Sequence, residues 1–421
     1  MRTTLFRAAA VAAAVTLLAA CGDGGSETPP ASQEPTTAET TEAAGGATGS
    51  LTIWVDENRK PAVQAAVDIY NETNPDVTVE LVQKNFEDIR ADFLAQVPTG
   101  KGPDITIGAH DWLGALIADG VVEPLDLGEK VDEFETVATQ AFTYDGQMYG
   151  LPYALETVAV VRNTALVDST PDTWDDMIAM GKEAGTKYPF VINTNGTTGD
   201  AYTYYGLQTS FGAPVFVQND DGSYTTDIGM GGDEGFAFAD FLAENGMKGE
   251  GNFSTDWTYD VANEEFGKGN APYTIAGPWA IQTYKDAGID VAVDPIPSAG
   301  GETAAPFVGV QGFYLSSQSQ NKLVANDFLV NYVATPDVIK ALYDADPRLP
   351  AMTSVADEVA ADPIVAGFLA ASKNGAPMPS IPEMGDVWEY WNAAEASIIS
   401  GSSSAKDAWT KMLADLDAKL G

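Results

Sequence analysis

The chain has 421 residues, of which 61 are acidic and 21 are basic, so its formal net charge is −40. Such a negative field repels phosphate backbones and excludes nucleic acid as a partner; its expected role is solubility. His110 is the one histidine and Cys21 the one cysteine, which excludes disulfides, thiolate catalysis and His/Cys zinc sites. Nucleotide, phosphate-loop and calcium-loop spacings are missing. The sequence therefore predicts neither a metal nor a cofactor.

Residues 1–20 have the pattern of a secretory signal peptide. Arg2 and Arg7 supply positive charge, and the apolar run over 8–18 is too short to span a bilayer of roughly 30 Å. The run ends in Leu-Ala-Ala-Cys, which resembles the lipobox of bacterial lipoproteins. We therefore expect Cys21 to carry acyl chains, the alternative being an ordinary signal peptide followed by an unrelated cysteine.

Residues 21–50 form the second N-terminal segment. Between positions 22 and 50 there is no aromatic, Lys or Arg residue, so this stretch cannot bury enough apolar surface to offset its ordering entropy. It is predicted to be a disordered acidic tether with a reach of roughly 30 Å. The expected location is the outer face of the cytoplasmic membrane, on the extracellular or periplasmic side, through a lipid anchor.

The next residues alternate between strand and helix patterns. Strands are predicted at 51–55, 77–82 and 104–108, and helices at 61–71 and 86–97. This order is typical of parallel βαβ units, whose ligands collect beyond the carboxyl ends of the strands. The segments 56–59 and 109–112 should therefore share one rim of a lobe.

A second α/β body is predicted to begin near Glu156. Its expected elements are strands at 158–162 and 271–277, a helix starting at Thr173–Trp174, and helices at 199–211 and 233–245. A strand at 307–315 and a helix at 322–333 follow, and the C-terminal part is helical.

The strand ends carry side chains that suit a neutral sugar. Hydroxyl groups need charged or amide partners, and the C–H faces of a sugar pack on aromatic rings. The candidate ligand-binding residues are Asp56, Glu57, Arg59, Asp111, Trp112, Glu156, Asp200, Tyr202, Trp279, Trp388 and Trp391.

Each candidate also has a structural explanation. Asp56 or Asp111 could cap the helix that follows it, and Glu156 could pair with Arg162 at a lobe junction. Trp279, Trp388 and Trp391 could all belong to the core. Taken one at a time, none of these residues decides the function.

The order of segments resembles that of the maltose/maltodextrin-binding proteins of bacterial ABC sugar importers. The segments that carry the resemblance are LTIWV (51–55), GPDI (102–105), AHD (109–111), DGQMYGLPYALE (145–156), FGKGNAPYTIAGPWA (266–280), PFVGV (306–310) and MPSIPEM (378–384). The resemblance implies a two-lobed periplasmic-binding-protein-like fold, with a hinge and a ligand cleft between the lobes. It assigns 51–155 and 309–352 to lobe 1, and 156–308 and 353–421 to lobe 2.

The resemblance also implies roles for single residues and partners. It matches Asn58, Arg59, Asp111, Glu156, Asp200, Tyr202, Trp279 and Trp388 to ligand-contacting positions. The sequence departs from the family's best-known members at Gly108 and Trp112, where they have tryptophan and arginine, and at Asn392, where they have arginine; Trp112 could supply the ring that Gly108 lacks. The implied partners are an oligosaccharide and a membrane permease with a cytosolic ATPase, and the chain is expected to be a monomer without enzymatic activity.

Two other functions are compatible with the residues alone. A cell-surface glycoside hydrolase needs two carboxylates roughly 5–9.5 Å apart, and Asp111 with Glu156 could form such a pair. The same transport role with a different oligosaccharide is the second alternative.

Overall fold

The computed structural model describes residues 48–219 and 224–421. The predicted signal peptide, Cys21 and the tether up to residue 47 lie outside the described residues. The described residues form a mixture of helices and strands, so the predicted α/β class is confirmed. The first strand begins at Gly49, two residues before the predicted strand start at Leu51, and so includes the last two residues of the predicted tether.

The strands are grouped into two main sheets and two small hairpin-like pairs. Their bounds are β1 (Gly49–Val55), β2 (Val77–Gln83), β3 (Ile105–Ala109), β4 (Thr143–Tyr144), β5 (Gln147–Met148), β6 (Gly150–Glu156), β7 (Ala159–Asn163), β8 (Val191–Ile192), β9 (Phe216–Gln218), β10 (Tyr224–Ile228), β11 (Tyr273–Ala276), β12 (Val291–Asp294), β13 (Phe307–Leu315), β14 (Leu349–Pro350) and β15 (Ala376–Pro377).

The helices cover the faces of these sheets. Their bounds are α1 (Lys60–Thr73), α2 (Phe86–Gln96), α3 (Leu113–Ala118), α4 (Thr136–Ala141), α5 (Trp174–Glu183), α6 (Ala201–Thr209), α7 (Gly232–Asn245), α8 (Tyr259–Gly267), α9 (Ile281–Asp286), α10 (Lys322–Asp327), α11 (Pro336–Ala345), α12 (Thr353–Val359), α13 (Pro363–Ser372), α14 (Met384–Ile399) and α15 (Ala405–Leu420). A π-helical turn, Phe328–Val333, continues α10.

The first lobe is built on six strands in the order β14-β6-β13-β3-β1-β2; β15, from the C-terminal part of the chain, extends this sheet by pairing with Phe307 and Val308 at the start of β13. β1 pairs in parallel with β2 and β3, as the βαβ pattern predicts. β13 is antiparallel to both β3 and β6, so the sheet is mixed. β3 is buried along its whole length, which matches its continuous run of small and apolar residues.

Helix α1 shows why these segments fold as they do. Pro61 lies in its first turn, where the missing N–H costs no helical hydrogen bond. Val63, Val67 and Tyr70 recur at helical spacing and are buried. Tyr70 packs edge-on against Phe328, with ring centroids 5.2 Å apart. The buried stripe therefore fixes α1 against the helices that follow β13.

The second lobe is built on a four-stranded sheet in the order β12-β7-β11-β8. The hydroxyl of Thr173 accepts a hydrogen bond from the backbone N–H of Asp176 and caps α5, which confirms the predicted helix start. Trp174 then packs against the rings of Phe190, Phe241 and Phe253 at centroid distances of 5.0, 5.5 and 5.2 Å. This aromatic cluster is the centre of the second core.

The chain passes between the two sheets after β6, before β13 and after α12. Helix α12 packs against α11 and β14, both of which belong to the first lobe, whereas α13 packs against β12 of the second. A boundary between 352 and 353, as expected from the sequence, would separate α12 from these neighbours; the segment between Val359 and Pro363 connects α12 to α13.

Glu395 on α14 is an acidic side chain without an ionic partner in the second core. It is fully buried, and neither carboxyl oxygen has a hydrogen-bond partner in the part of the chain that the structure describes. The indole N–H of nearby Trp391 donates instead to Gln208, at 3.0 Å. Burial, followed by the charge of Asp200, raises the pKa of Glu395 well above its ordinary value of 4.5.

Replacing Glu395 with glutamine should raise the free energy of unfolding at pH 7 by roughly 1–2 kcal/mol. A carboxyl group with a raised folded-state pKa stabilises the fold fully below 4.5, and this contribution is lost as the pH rises toward the folded-state pKa. Glutamine does not ionise, so the difference between variant and wild type should vanish near pH 4. Urea unfolding at several pH values measures it, and a difference that is constant with pH would contradict this account.

Among the described residues, no helix is long and apolar enough to cross a membrane.

Candidate functional site

A cavity of about 420 Å³ is lined by residues of both lobes. From the first lobe come Arg59, Phe86, Arg90, Asp111, Trp112 and Glu156; from the second come Asp200, Tyr202, Tyr259, Trp279, Trp388 and Asn392. The first group follows the carboxyl ends of β1, β2, β3 and β6, the rim at which ligands of open α/β sheets collect. The cavity is therefore the candidate functional site.

A second groove, of about 580 Å³, lies on the second lobe beside α5 and α7. Its buried amide, Asn245, already accepts hydrogen bonds from the indole N–H of Trp174, at 3.1 Å, and from Asn252, at 2.8 Å. The buried polar groups of this groove already bond one another. We therefore assign function to the cavity between the lobes.

Arg59 enters the cavity wall from the turn after β1. Its guanidinium pairs with Asp56 at 2.6 Å, and its Nε donates to the hydroxyl of Tyr153 at 3.2 Å. Burial opposes ionisation of Asp56, but the charge and hydrogen bond of Arg59 outweigh it, so the pKa of Asp56 lies below its ordinary value. Asp56 also accepts hydrogen bonds from the backbone N–H groups of Asn58 and Arg59. It thus holds the arginine in place.

Glu156 and Arg348 form a second buried ion pair at the hinge end of β6. Arg348 binds Glu156 through Nη1 and Asp346 through Nε, the latter at 2.6 Å, and its side chain is 2% exposed. The other oxygen of Glu156 accepts from Gln311, at 2.5 Å. Arg162, the partner expected from the sequence, pairs instead with Asp294 at 2.8 Å. Glu156 is therefore fixed by two side chains, one from β13 and one from the residue just before β14.

Three polar atoms of the cavity wall lack partners within the described ranges. They are Oδ1 of Asp111, the hydroxyl of Tyr202 and Oε1 of Gln311. Leaving such an atom unpaired costs about 1–3 kcal/mol. Burial raises the pKa of Asp111, and the neighbouring side chains of His110 and Arg90 offset this only in part. The wall therefore offers hydrogen-bonding capacity that a polar ligand could use.

Aromatic rings form the apolar parts of the wall. On the first lobe, Trp112 packs against Phe86 with ring centroids 5.2 Å apart. On the second, Trp279 lies 6.3 Å from Tyr202, and Trp388 stacks on Trp391 at 5.5 Å with an interplanar angle of 12°. Both lobes therefore present large rings to the same cavity.

Trp388 and Asp111 link the two lobes directly. The indole N–H of Trp388, on α14, donates to Oδ2 of Asp111 at 3.2 Å. The lobes also meet at His110, whose Nδ1 accepts from the N–H of Val310 and whose Nε2 donates to the carbonyl of Met378, at 3.0 and 2.8 Å. Burial lowers the pKa of His110, in agreement with a neutral ring that both accepts and donates.

Asp200 has a local role in addition to its place in the wall. It caps α6: one oxygen accepts from the backbone N–H of Thr203, and the other from the hydroxyl of Thr203 and the amide of Asn193, both at 2.6 Å. Asn392 also contacts this turn, because its Oδ1 accepts from the N–H of Ala201 at 2.8 Å. This part of the wall is held by hydrogen bonds within the second lobe.

The structure brings together most of the residues selected from the sequence. Arg59, Asp111, Trp112, Glu156, Asp200, Tyr202, Trp279 and Trp388 line the cavity. Glu57 and Asn58 are exposed and lie outside its lining, because they occupy the outer side of the turn after β1. Asp56 acts behind Arg59. Trp391 is fully buried and bonded to Gln208, so its placement corrects the expectation that it faces the ligand.

Several lining residues were not predicted from the sequence. Phe86 and Arg90 follow β2, and the rim rule that was applied to β1 and β3 would have found them. Gln311 is a polar residue inside the otherwise apolar strand β13, which was a usable signal. Arg348 follows a long helical stretch and has no local signature.

The carboxylate pair considered from the sequence is not free at both members. Both oxygens of Glu156 are engaged by Gln311 and Arg348, so Glu156 has no free oxygen to offer as one half of a pair with Asp111. Among the residues with described positions, no group of three or more His, Cys, Asp or Glu side chains could hold a metal ion.

The chain is similar to known proteins of one family. Residues 65–367 match the family described as bacterial extracellular solute-binding protein. A maltotriose-binding protein of Pyrococcus abyssi is 32% identical, over 81% of this chain and 75% of its own length. A maltodextrin-binding protein of Bacillus subtilis is 30% identical, over 86% and 87% of the two chains.

The solved structures agree. The maltotriose-binding protein of Thermus thermophilus bound with maltotriose superimposes with a TM-score of 0.80 and 30% sequence identity, over 88% of this chain and 100% of that one. The two-lobed fold with a hinge and an interlobe cleft is thereby confirmed. The chain belongs to the family of bacterial extracellular solute-binding proteins.

Proposed function

We propose that this protein captures a neutral oligosaccharide of the maltodextrin type by closure of its two lobes and delivers it to a membrane permease of an ABC importer. The observation that carries the proposal is the cavity between the lobes, where aromatic rings stand beside buried polar atoms without partners. Sugar hydroxyl groups would satisfy Asp111, Tyr202 and Gln311, and the rings would cover the C–H faces.

The charges of the wall favour an uncharged ligand. Arg59 and Arg348 are each bound to carboxylates of the same lobe, so neither offers a free guanidinium to an anionic sugar. Asp111 and Asp200 add negative charge beside them. An acidic ligand would therefore meet the charges of Asp111 and Asp200, against which Arg90 is the remaining basic side chain of the wall.

The relatives favour α-1,4-linked glucose chains. Proteins that bind maltotriose or maltodextrin are 30–32% identical to this chain. A galactooligosaccharide-binding protein of Bacillus subtilis is 27% identical over 85% of the chain, which makes β-linked galactosides the second candidate class. Isothermal titration of the purified protein with maltose, maltotriose, maltotetraose, cellobiose, trehalose and a galactooligosaccharide separates the two.

The expected result is one-to-one binding of the α-1,4 series alone. If only the galactooligosaccharide bound, the ligand would belong to the β-linked galactosides. If no sugar of the panel bound, both ligand classes would be refuted. Release of labelled products from maltotetraose in excess of the protein would refute a purely binding role.

Closure of the lobes is tested by small-angle scattering. Saturating sugar should make the particle more compact, because closure lowers the free energy of the bound state. Superimposable profiles with and without sugar would refute closure.

The remaining parts of the proposal concern partners and location. Cys21 would anchor the protein by acyl chains to the outer face of the cytoplasmic membrane, with the tether of residues 21–48 keeping the two lobes near the permease. We assign residues 49–156 and 307–359 to lobe 1, and residues 157–306 and 363–421 to lobe 2. The protein would act as a monomer and without catalysis. The anchor is tested by metabolic labelling with palmitate. The wild type should incorporate the label, and Cys21→Ala should not.

A further inference from the structure

Two tryptophans of the cavity wall pack directly onto glycines. A Cβ atom built on Gly108 would lie 2.1 Å from Cζ3 and 2.3 Å from Cε3 of Trp112. A Cβ atom built on Gly277 would lie 2.2 Å from both Cη2 and Cζ3 of Trp279. In both cases the six-membered part of the indole occupies the space that any side chain at the glycine would need.

The backbone itself does not require glycine at either position. Gly108 lies inside β3 with no left-handed φ, and Gly277 has φ −96° and ψ 178°, an extended conformation that any residue adopts. Glycine in a strand is unfavourable unless another group approaches closely. The close approach here is made by the indole ring in each lobe.

The strand at Gly108 cannot move away from the ring. β3 is enclosed between β1 and β13, and Gly108 pairs with Gly312 of β13. The ring of Trp112 also packs against that of Phe86, with centroids 5.2 Å apart. A methyl group at position 108 would therefore displace the indole rather than the backbone.

From these contacts we infer that Gly108 and Gly277 are positioning residues that set the planes of Trp112 and Trp279 for ligand stacking. The inference rests on the proposed function, because it assigns the two rings to the sugar. A ring locked before binding loses little rotamer freedom when the ligand arrives, which is the advantage of a preorganised site. Because position 108 has no side chain, the ring of Trp112 occupies the space that a side chain at this position would fill.

The test is a double-mutant cycle on the full chain. Gly108→Ala should raise the Kd for maltotriose about tenfold, whereas Gly108→Ala combined with Trp112→Ala should bind within about twofold of Trp112→Ala alone, because the clash has gone. Gly277→Ala and Trp279→Ala form the second cycle. Gly267→Ala is the control, since its Cβ would be 3.4 Å from that of Ala287, an ordinary contact outside the cavity. Wild-type affinity in Gly108→Ala, or losses that simply add, would overturn the inference.

Wild type, Gly108→Ala, Trp112→Ala and the double variant are also compared in urea unfolding, which needs no sugar. Gly108→Ala should lower the urea midpoint when Trp112 is present and leave it nearly unchanged in the Trp112→Ala background. If the wild type binds no sugar, the proposed function fails, while this cycle still decides whether the ring is seated on the glycine. Should Gly108→Ala fail to fold, recovery of folding in the double variant supports the inference and continued failure overturns it.

Discussion

Replacing Arg348 with methionine should lower the free energy of unfolding by about 3–5 kcal/mol. Arg348 is the shared partner of Glu156 and Asp346, and all three side chains are at most 7% exposed. Methionine keeps much of the apolar stem but removes the charge, so two carboxylates remain buried without a cation. The loss should therefore greatly exceed that of a typical surface substitution.

Urea unfolding of wild type and variant measures the difference. Lys182→Met is the matched control, because the pair that Lys182 forms with Glu250 is 55% and 62% exposed; it should cost no more than about 1 kcal/mol. Equal effects of the two substitutions would mean that burial does not strengthen the Arg348 network. Because Arg348 also lies 5.4 Å from the ring of Trp279, the variant should bind sugar more weakly as well.

The elements of the fold were largely predictable from local pattern. The strand predicted over 307–315 is found with the same bounds, and the helix predicted from Thr173–Trp174 begins there. These segments have strong signals: a run that is apolar apart from Gln311, and a capping threonine before a helical stripe. The antiparallel insertion of β13 between β3 and β6 had no such signal, since pairing partners are set by contacts far apart in sequence.

The site was predictable where a rule links sequence to position. Arg59 and Asp111 were found because they follow strands whose carboxyl ends meet at one rim. Trp388 and Trp391 could not be separated, because residues three apart lie on neighbouring parts of a helix surface. Their rings stack, yet Trp388 lines the cavity while Trp391 faces the core. The boundary between core and cavity depends on how α14 is packed, which the sequence does not encode locally.

Replacing Trp279 with alanine should weaken sugar binding by about 2–3 kcal/mol, roughly a 30- to 150-fold rise in Kd. Trp279 is partly exposed to the cavity, and its ring also contacts Gly277, Tyr202 and Arg348. Removal of its ring takes apolar area from the ligand more than from the core. The free energy of unfolding should therefore change by no more than about 1 kcal/mol.

Two other aromatic substitutions make this prediction specific. Trp391→Ala removes a fully buried ring and should cost about 3–5 kcal/mol of stability. Tyr144→Ala removes a ring that is 37% exposed on the β4–β5 hairpin and should change neither quantity. Each variant is titrated with maltotriose and unfolded in urea. We expect Trp279→Ala to lose affinity, Trp391→Ala to lose stability, and Tyr144→Ala to change in neither measurement. If Trp279→Ala unfolded easily but bound sugar normally, Trp279 would belong to the core, and the stacking surface of the second lobe would have to be Trp388 alone.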